Sequence, residues 1–243
     1  MSDARVSRWM GPLGLLTVIA LFVGLGPLSG KTPGENASGA TVAAFYNSHV
    51  ARSWASIYVV GLGLALFVLF VSQLRKVLRD ASGGETLWPN VAFVAGIILV
   101  AGMVAAGTFQ VVLILAAHNH QLGIVKTVNF VSSNNELGFL FGMVLVTLAT
   151  GASILTNRSI DPLPKTLGWW SLLVGVVGCL GPLAFFSLLF GLPIWLIATG
   201  FVISTKARRA VEGKPPAHAA AASGNGESPD HVSGTLSRES ASN

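Results

Sequence analysis

The sequence predicts an all-α polytopic membrane protein, a six-transmembrane-helix bundle with a short amphipathic extracytoplasmic helix and a disordered C-terminal tail. Three observations lead there. Of the 243 residues 52% are apolar and only 10% are charged, against roughly 25% in an average soluble domain, so a water-facing surface cannot be covered. The charges fall in short clusters between apolar runs long enough to cross a bilayer. The Lys and Arg clusters also alternate in density along the chain, as a topology set by cytoplasmic positive charge requires. The 28 glycines follow no three-residue period and no Glu/Lys heptad runs through the chain, which excludes collagen-like and coiled-coil folds. The formal charge of +5 forms no basic stripe with interleaved aromatics, so nucleic acid is not an expected partner.

Each element follows from the same arithmetic. Arg5 and Arg8 precede an apolar run from Gly11 to Leu28. That run is longer than the roughly 7 to 15 residues of a cleaved signal, and its exit, Gly26 to Gly30, is not A-x-A-like. It is therefore read as an uncleaved first span, about residues 9–29. The charge-free interval between Arg52 and Arg75 gives a second span at 54–74, and that between Glu136 and Arg158 a fourth at 136–157. Between them one apolar run, Val91 to Ala117, gives a third span at 90–117, and the polar string from His118 to Gln121 turns the remainder into loop. The interval from Thr166 to Thr205 is apolar throughout. As one helix it would be about 60 Å long, twice the hydrocarbon thickness, so it must fold back. Gly181-Pro182 is the natural turn and Gly191 with Pro193 a second candidate, giving spans at 165–181 and 183–205.

Orientation follows from the basic residues. With the N-terminus inside, the cytoplasmic side holds Arg5, Arg8, Arg75, Lys76, Arg79, Arg158, Lys165, Lys206, Arg208, Arg209, Lys214 and Arg238, and the other side only Lys31, Arg52 and Lys126. A single crossing from Thr166 to Thr205 would place Lys206, Arg208 and Arg209 outside and spoil the bias. Both termini are thus expected in the cytoplasm, with the chain in a bacterial plasma membrane.

In the long outer loop, Val42, Phe45, Tyr46, His49 and Val50 recur at helical spacing, which predicts an amphipathic helix on the outer membrane surface. The six tryptophans fall mostly where an aromatic belt would lie. Residues 210–243 are Pro, Ala, Ser, Gly and scattered charge, a composition that cannot offset the entropy of ordering.

Chemistry-bearing residues are few. No Asp, Lys, Arg or His lies mid-span, which argues against a proton-coupled transporter or a transmembrane cytochrome. Gln110 is the one amide well inside a span, and its partners must come from the bundle. Gly138 with Gly142, Ala149 with Ser153, and Gly175, Gly178 and Gly181 supply close helix contacts, either within the protomer or along a homo-oligomer seam. The single cysteine, Cys179, excludes an internal disulfide and a cysteine metal site. G-x-S-x-G, H-E-x-x-H and Walker-type motifs do not occur. The densest polar group is extracytoplasmic. There His49, His118, His120 and Glu136 have the ligand types for zinc or a related divalent metal, with His118 and His120 on one side of an extended segment, and Arg52 nearby to favour an anion. The alternative for the same residues is two solvated loops, with Asn134 or Asn135 capping the fourth span.

The six spans, the Ala-Ala-Phe-Tyr segment (Ala43 to Tyr46), the Gln-Leu-Arg exit of the second span (Gln73 to Arg75) and the Gly-Trp-Trp of the fifth (Gly168 to Trp170) resemble a family of uncharacterised bacterial integral membrane proteins common in actinobacteria. The resemblance covers about Arg8 to Arg209 and implies a location in the bilayer, with no mechanism attached. Three functional classes stay open: a non-enzymatic interaction or accessory protein, with a protein partner or a second copy; a small transporter or channel for a neutral or apolar solute; and a membrane enzyme using the outer His/Glu cluster.

Overall fold

The computed structural model describes residues 9–82, 84, 87–133, 137–156, 163–180 and 182–211. Arg5, Arg8, Asn134, Asn135, Glu136, Arg158 and the tail 212–243 lie outside them. The described residues are helical or in short turns, with no strand among them. Helix α1 is Met10–Val23 and continues as a π-helical turn, Gly24–Leu28. Then follow α2 (Gly39–Ser48), α3 (Val50–Ala81), α4 (Leu87–His118), α5 (Leu122–Ser133), α6 (Leu137–Thr156) and α7 (Lys165–Gly178). The chain ends in α8 (Pro182–Phe186), a second π-helical turn (Ser187–Gly191) and α9 (Leu192–Val211).

Five of the described helical segments are long and apolar enough to cross a membrane: Met10–Leu28, Val50–Ala81, Leu87–His118, Phe139–Thr156 and Leu183–Arg209. The predicted span at 165–181 is a 14-residue helix, about 21 Å long at 1.5 Å per residue, below the ~30 Å of a hydrocarbon core. Helix α7 stops at Gly178, and the chain is helical again from Pro182. Pro193 lies inside α9, so the second candidate turn is helix.

The helices pack as a serpentine whose neighbours all run antiparallel. Gly24 lies against Val60 while Gly14 lies against Phe70, which sets α1 against α3. Gly96 meets Val71 and Arg75 meets Asn90, which sets α3 against α4. At Gly142 the α6 backbone approaches Leu99 of α4 so closely that no Cβ fits. Gly151 faces Gly168 and Leu172, and Gly175 faces Thr147 and Leu148, pairing α6 with α7. Helix α9 returns beside α7 through Trp195 and Ser171. It then packs on α1, where the Gly11 N–H donates to Ser204 Oγ at 2.6 Å and a Cβ on Gly14 would lie 2.8 Å from the Leu196 carbonyl. The last helix is therefore antiparallel to the first.

Two separate apolar cores result. The larger is centred on Trp195, Phe67, Phe70, Met10, Leu74 and Met143 near the Arg75 end of the bundle. Its outward faces carry Ile19, Phe22, Leu62, Leu69, Phe141, Leu173 and Phe190, all exposed. A soluble surface rarely presents so much contiguous apolar area. The smaller core joins Val42, Ala43 and Tyr46 of α2 to Leu113, Ile114, Ala116 and Ala117 of α4 and Val125 of α5, with Trp54 and Ile57 of α3 at its edge. Between Leu99 and Leu113, α4 has no residue in the buried class. The two cores are thus distinct bodies at opposite ends of α3 and α4.

Two sequence expectations are revised here. The stretch after His118, read as loop, is a tight turn followed by helix α5, because Leu122, Val125 and Val128 supply a helical apolar period behind the polar turn. Trp195, grouped with the interface tryptophans, is fully buried at the centre of the larger core.

Candidate functional site

The structure turns the predicted polar cluster at the Arg52 end into a built cap. Helix α2 starts at Ser38, whose Oγ accepts the Thr41 N–H at 3.1 Å, satisfying one of the free donors of a first turn. Its apolar face, Val42, Ala43 and Tyr46, docks on the last two turns of α4 and on α5. Burial of Tyr46 pushes its hydroxyl above the ordinary tyrosine pKa, since the phenolate would lose its hydration. Two asparagines stitch the parts together. Asn47 Nδ2 donates to the Ala117 carbonyl at 3.2 Å, tying α2 to the last turn of α4. The buried Asn129 of α5 donates through Nδ2 to the Gly34 carbonyl at 3.0 Å, holding the loop ahead of α2.

The sequence-predicted ligands occupy this cap in different settings. His49 closes α2, stacks on Phe45 with ring centroids 4.8 Å apart, and has Nδ1 2.9 Å from both the Phe45 carbonyl and Ser48 Oγ. His118 is the last residue of α4. His120 is not extended. It sits at φ 57°, the one described non-glycine residue with positive φ. The Gln121 N–H reaches the Ala116 carbonyl at 2.9 Å and the His120 N–H the Ala117 carbonyl at 3.2 Å. That is a Schellman termination with histidine where glycine is usual. The period-two geometry expected to align His118 with His120 is therefore replaced by a helix end and a left-handed turn. Among the described residues no group of three His, Cys, Asp or Glu is placed to hold a metal; Glu136, the fourth predicted ligand, lies outside them.

Arg52 has a role that the sequence reading missed. Its Nε donates to the Pro27 and Leu28 carbonyls at 3.2 and 3.0 Å, and Nη2 also donates to Pro27. One turn on, Ser56 Oγ donates to the Gly24 carbonyl at 2.8 Å. Pro27 and Leu28 stand in the last turn of this helical segment, where carbonyls lack intrahelical donors. Arg52 satisfies them, and Ser56, at i+4, bonds the same segment. A proline near the end of an apolar run, followed by an Arg-x-x-x-Ser in the next, was the available signal.

Along the apolar helices the hydroxyls turn back on their own backbone. Thr17, Ser72, Thr108, Thr147, Thr150 and Ser171 each donate to a carbonyl one turn back. Ser171 also accepts the Trp195 Nε1–H at 2.8 Å, and Ser187 Oγ donates to the Val174 carbonyl at 2.7 Å, locking α7 to the second π-helical turn. Ser153 Oγ, Thr199 Oγ1 and Trp170 Nε1 are buried with no hydrogen-bond partner among the described residues. Gln110 is half-buried on α4, one turn before the cap residue Leu113. It therefore borders the smaller core and lies away from the larger one. Compared with known proteins, the chain matches no family model, no curated protein and no solved structure.

Proposed function

We propose that this chain is a six-crossing integral membrane protein of a bacterial plasma membrane, with both termini cytoplasmic, that acts as a non-enzymatic interaction or accessory protein. Two geometric features support the six crossings although α7 is short. A closed ring in which every neighbour is antiparallel needs an even number of members, and α9 is antiparallel to α1. The exposed Trp9, Trp88 and Trp169 gather toward the Arg75 end, and Trp54 with Tyr58 stands at the other. On α3 the interval from Trp54 to Arg75 is ~32 Å and from Tyr58 to Arg75 ~26 Å, which brackets a hydrocarbon core of about 30 Å. The resemblance to actinobacterial membrane proteins agrees with this location.

The observation that carries the interaction role is the cap. A second core, stitched by Asn47 and Asn129, builds a packed platform at the Arg52 end beyond the aromatic pair. Its helix α5 turns Ile124, Phe130 and Val131 outward. The test is co-purification of the full chain from native membranes, comparing the wild type with Ile124→Glu/Val131→Glu. A stoichiometric partner retained by the wild type and lost from a variant that inserts and melts normally supports the role. An identical set of co-purifying proteins for both overturns it. A second reading, passage of a small neutral solute, draws on the partnerless buried hydroxyls of Ser153 and Thr199, and solute uptake by proteoliposomes distinguishes it.

A further inference from the structure

A groove of about 400 Å³ runs along α4 from Leu87 to Ile98, with Leu145 of α6 as its far wall. Its one polar lining residue is Asn90, near the end where α4 begins. The walls open sideways: Leu87, Val94, Ile98 and Leu145 are all exposed. From Leu87 to Ile98 is 11 residue steps of helix, or ~16 Å, and one leaflet is ~15 Å deep, half of a hydrocarbon core of about 30 Å. A groove of one leaflet's depth with a polar end and an apolar barrel has the shape of a phospholipid chain under its head group.

The polar end is also charged. Asn90 Oδ1 accepts the Arg75 Nε–H at 2.8 Å, and the Arg75 guanidinium lies 5.3 Å from the centroid of the Phe93 ring. These two tethers fix a planar cation beside the mouth of the groove. A held guanidinium fork matches the oxygens of a phosphate better than a mobile ammonium does. Residues 75–80 of α3 contain Arg75, Lys76 and Arg79 against the single carboxylate of Asp80, so the local field favours an anion over a zwitterion.

We propose that this groove holds one acyl chain of an anionic phospholipid, with the lipid phosphate against Arg75. The inference rests on the membrane reading above and adds to it a specific lipid site on the Arg75 side.

The test uses the full chain purified in a neutral detergent and titrated, by native mass spectrometry, with phosphatidylglycerol, with phosphatidylcholine of the same chains, and with inorganic phosphate. The wild type should bind phosphatidylglycerol at least tenfold more tightly than phosphatidylcholine. Arg75→Gln should cut that preference at least fivefold, Leu145→Trp should weaken both lipids by filling the groove, and Arg79→Gln should change neither. Equal binding of the two lipids, a preference that survives Arg75→Gln, no effect of Leu145→Trp, or displacement of lipid by equimolar inorganic phosphate would each overturn the proposal. Alkaline extraction of membranes separates the two claims. A chain that resists extraction yet shows no lipid preference refutes the groove alone, whereas a chain released by it refutes the membrane reading and the groove together.

Discussion

The contact between Trp195 and Ser171 offers the most quantitative test of how the larger core is held. Trp195 is fully buried, packs edge-on to Phe70 with centroids 6.2 Å apart, and places its only polar atom 2.8 Å from Ser171 Oγ. Ser171 in turn donates to the Leu167 carbonyl at 2.8 Å, so the hydroxyl is both donor and acceptor. Ser171→Ala leaves the indole N–H buried and unpaired, which costs about 1–3 kcal/mol in a protein interior. In a bilayer the corresponding pair energies average ~0.6 and reach ~1.7 kcal/mol, because the unfolded helices also find partners. We therefore expect a loss of about 1 kcal/mol. Trp195→Phe removes the same hydrogen bond and part of the ring, for a loss of about 2 kcal/mol, below the 3–5 of a full truncation to Ala. The double variant should then be less destabilised than the sum of the two by about 0.6–1.7 kcal/mol. Reversible unfolding of detergent-solubilised protein, monitored by tryptophan fluorescence and far-ultraviolet dichroism, measures all four corners of the cycle. Additivity within ~0.3 kcal/mol would show that the two side chains do not interact in the folded protein.

Other expectations follow from the cap and from α1. His120→Gly should stabilise the protein by about 0.5–1 kcal/mol in thermal unfolding, because glycine adopts the left-handed turn without a Cβ penalty; destabilisation would mean that the imidazole itself holds the turn. Tyr46 has a raised pKa when folded, so the stability it contributes is complete below the unfolded tyrosine value of ~10 and is lost as pH rises through the higher folded value. A melting series from pH 8 to pH 11 should fall more steeply for the wild type than for Tyr46→Phe. Arg52→Met should loosen the end of α1 by about 1 kcal/mol, discounted for exposure, and raise hydrogen exchange at 24–29 without affecting α9. The histidine site predicts that detergent-purified wild type carries a full equivalent of metal that a His49→Ala, His118→Ala, His120→Ala variant loses; equal, substoichiometric metal in both would end the idea.

The spans were largely legible because lipid imposes one simple rule, length without charge. Val50–Ala81 and Leu87–His118 extend beyond the predicted spans at 54–74 and 90–117. The additional turns cross into polar sequence, where charge ceases to mark a helix end. The break at Gly178 was legible from the length of the interval and from Gly181-Pro182, whereas the shortness of α7 was not. Composition does not reveal that α8 and α9 carry the apolar length of that pair. Helix α5 was hidden because a turn through His-Asn-His-Gln looks the same in sequence whether a loop or a helix follows. Its partner face on α4 is an ordinary apolar stretch until the three-dimensional pairing is known. The candidate site was legible only as composition. That His49, His118, His120 and Arg52 lie toward one end was read from counting crossings. That His120 occupies a glycine position depends on backbone detail that no spacing encodes, and the Arg-x-x-x-Ser that follows Pro27 signals a cap without fixing which carbonyls it takes.

The even number of crossings can be tested directly, because the sequence holds a single native cysteine. In a Cys179→Ser background, single cysteines at Asn36, Asn119, Gly84 and Arg209 are labelled in intact cells with a membrane-impermeant maleimide, then again after permeabilisation. Six crossings predict labelling of positions 36 and 119 in intact cells, and of 84 and 209 only after permeabilisation, placing 84 and 209 on the same side. Labelling of position 209 from outside while 84 stays protected would mean that α7 and the final helix do not cross as a pair, and would contradict the six-crossing bundle.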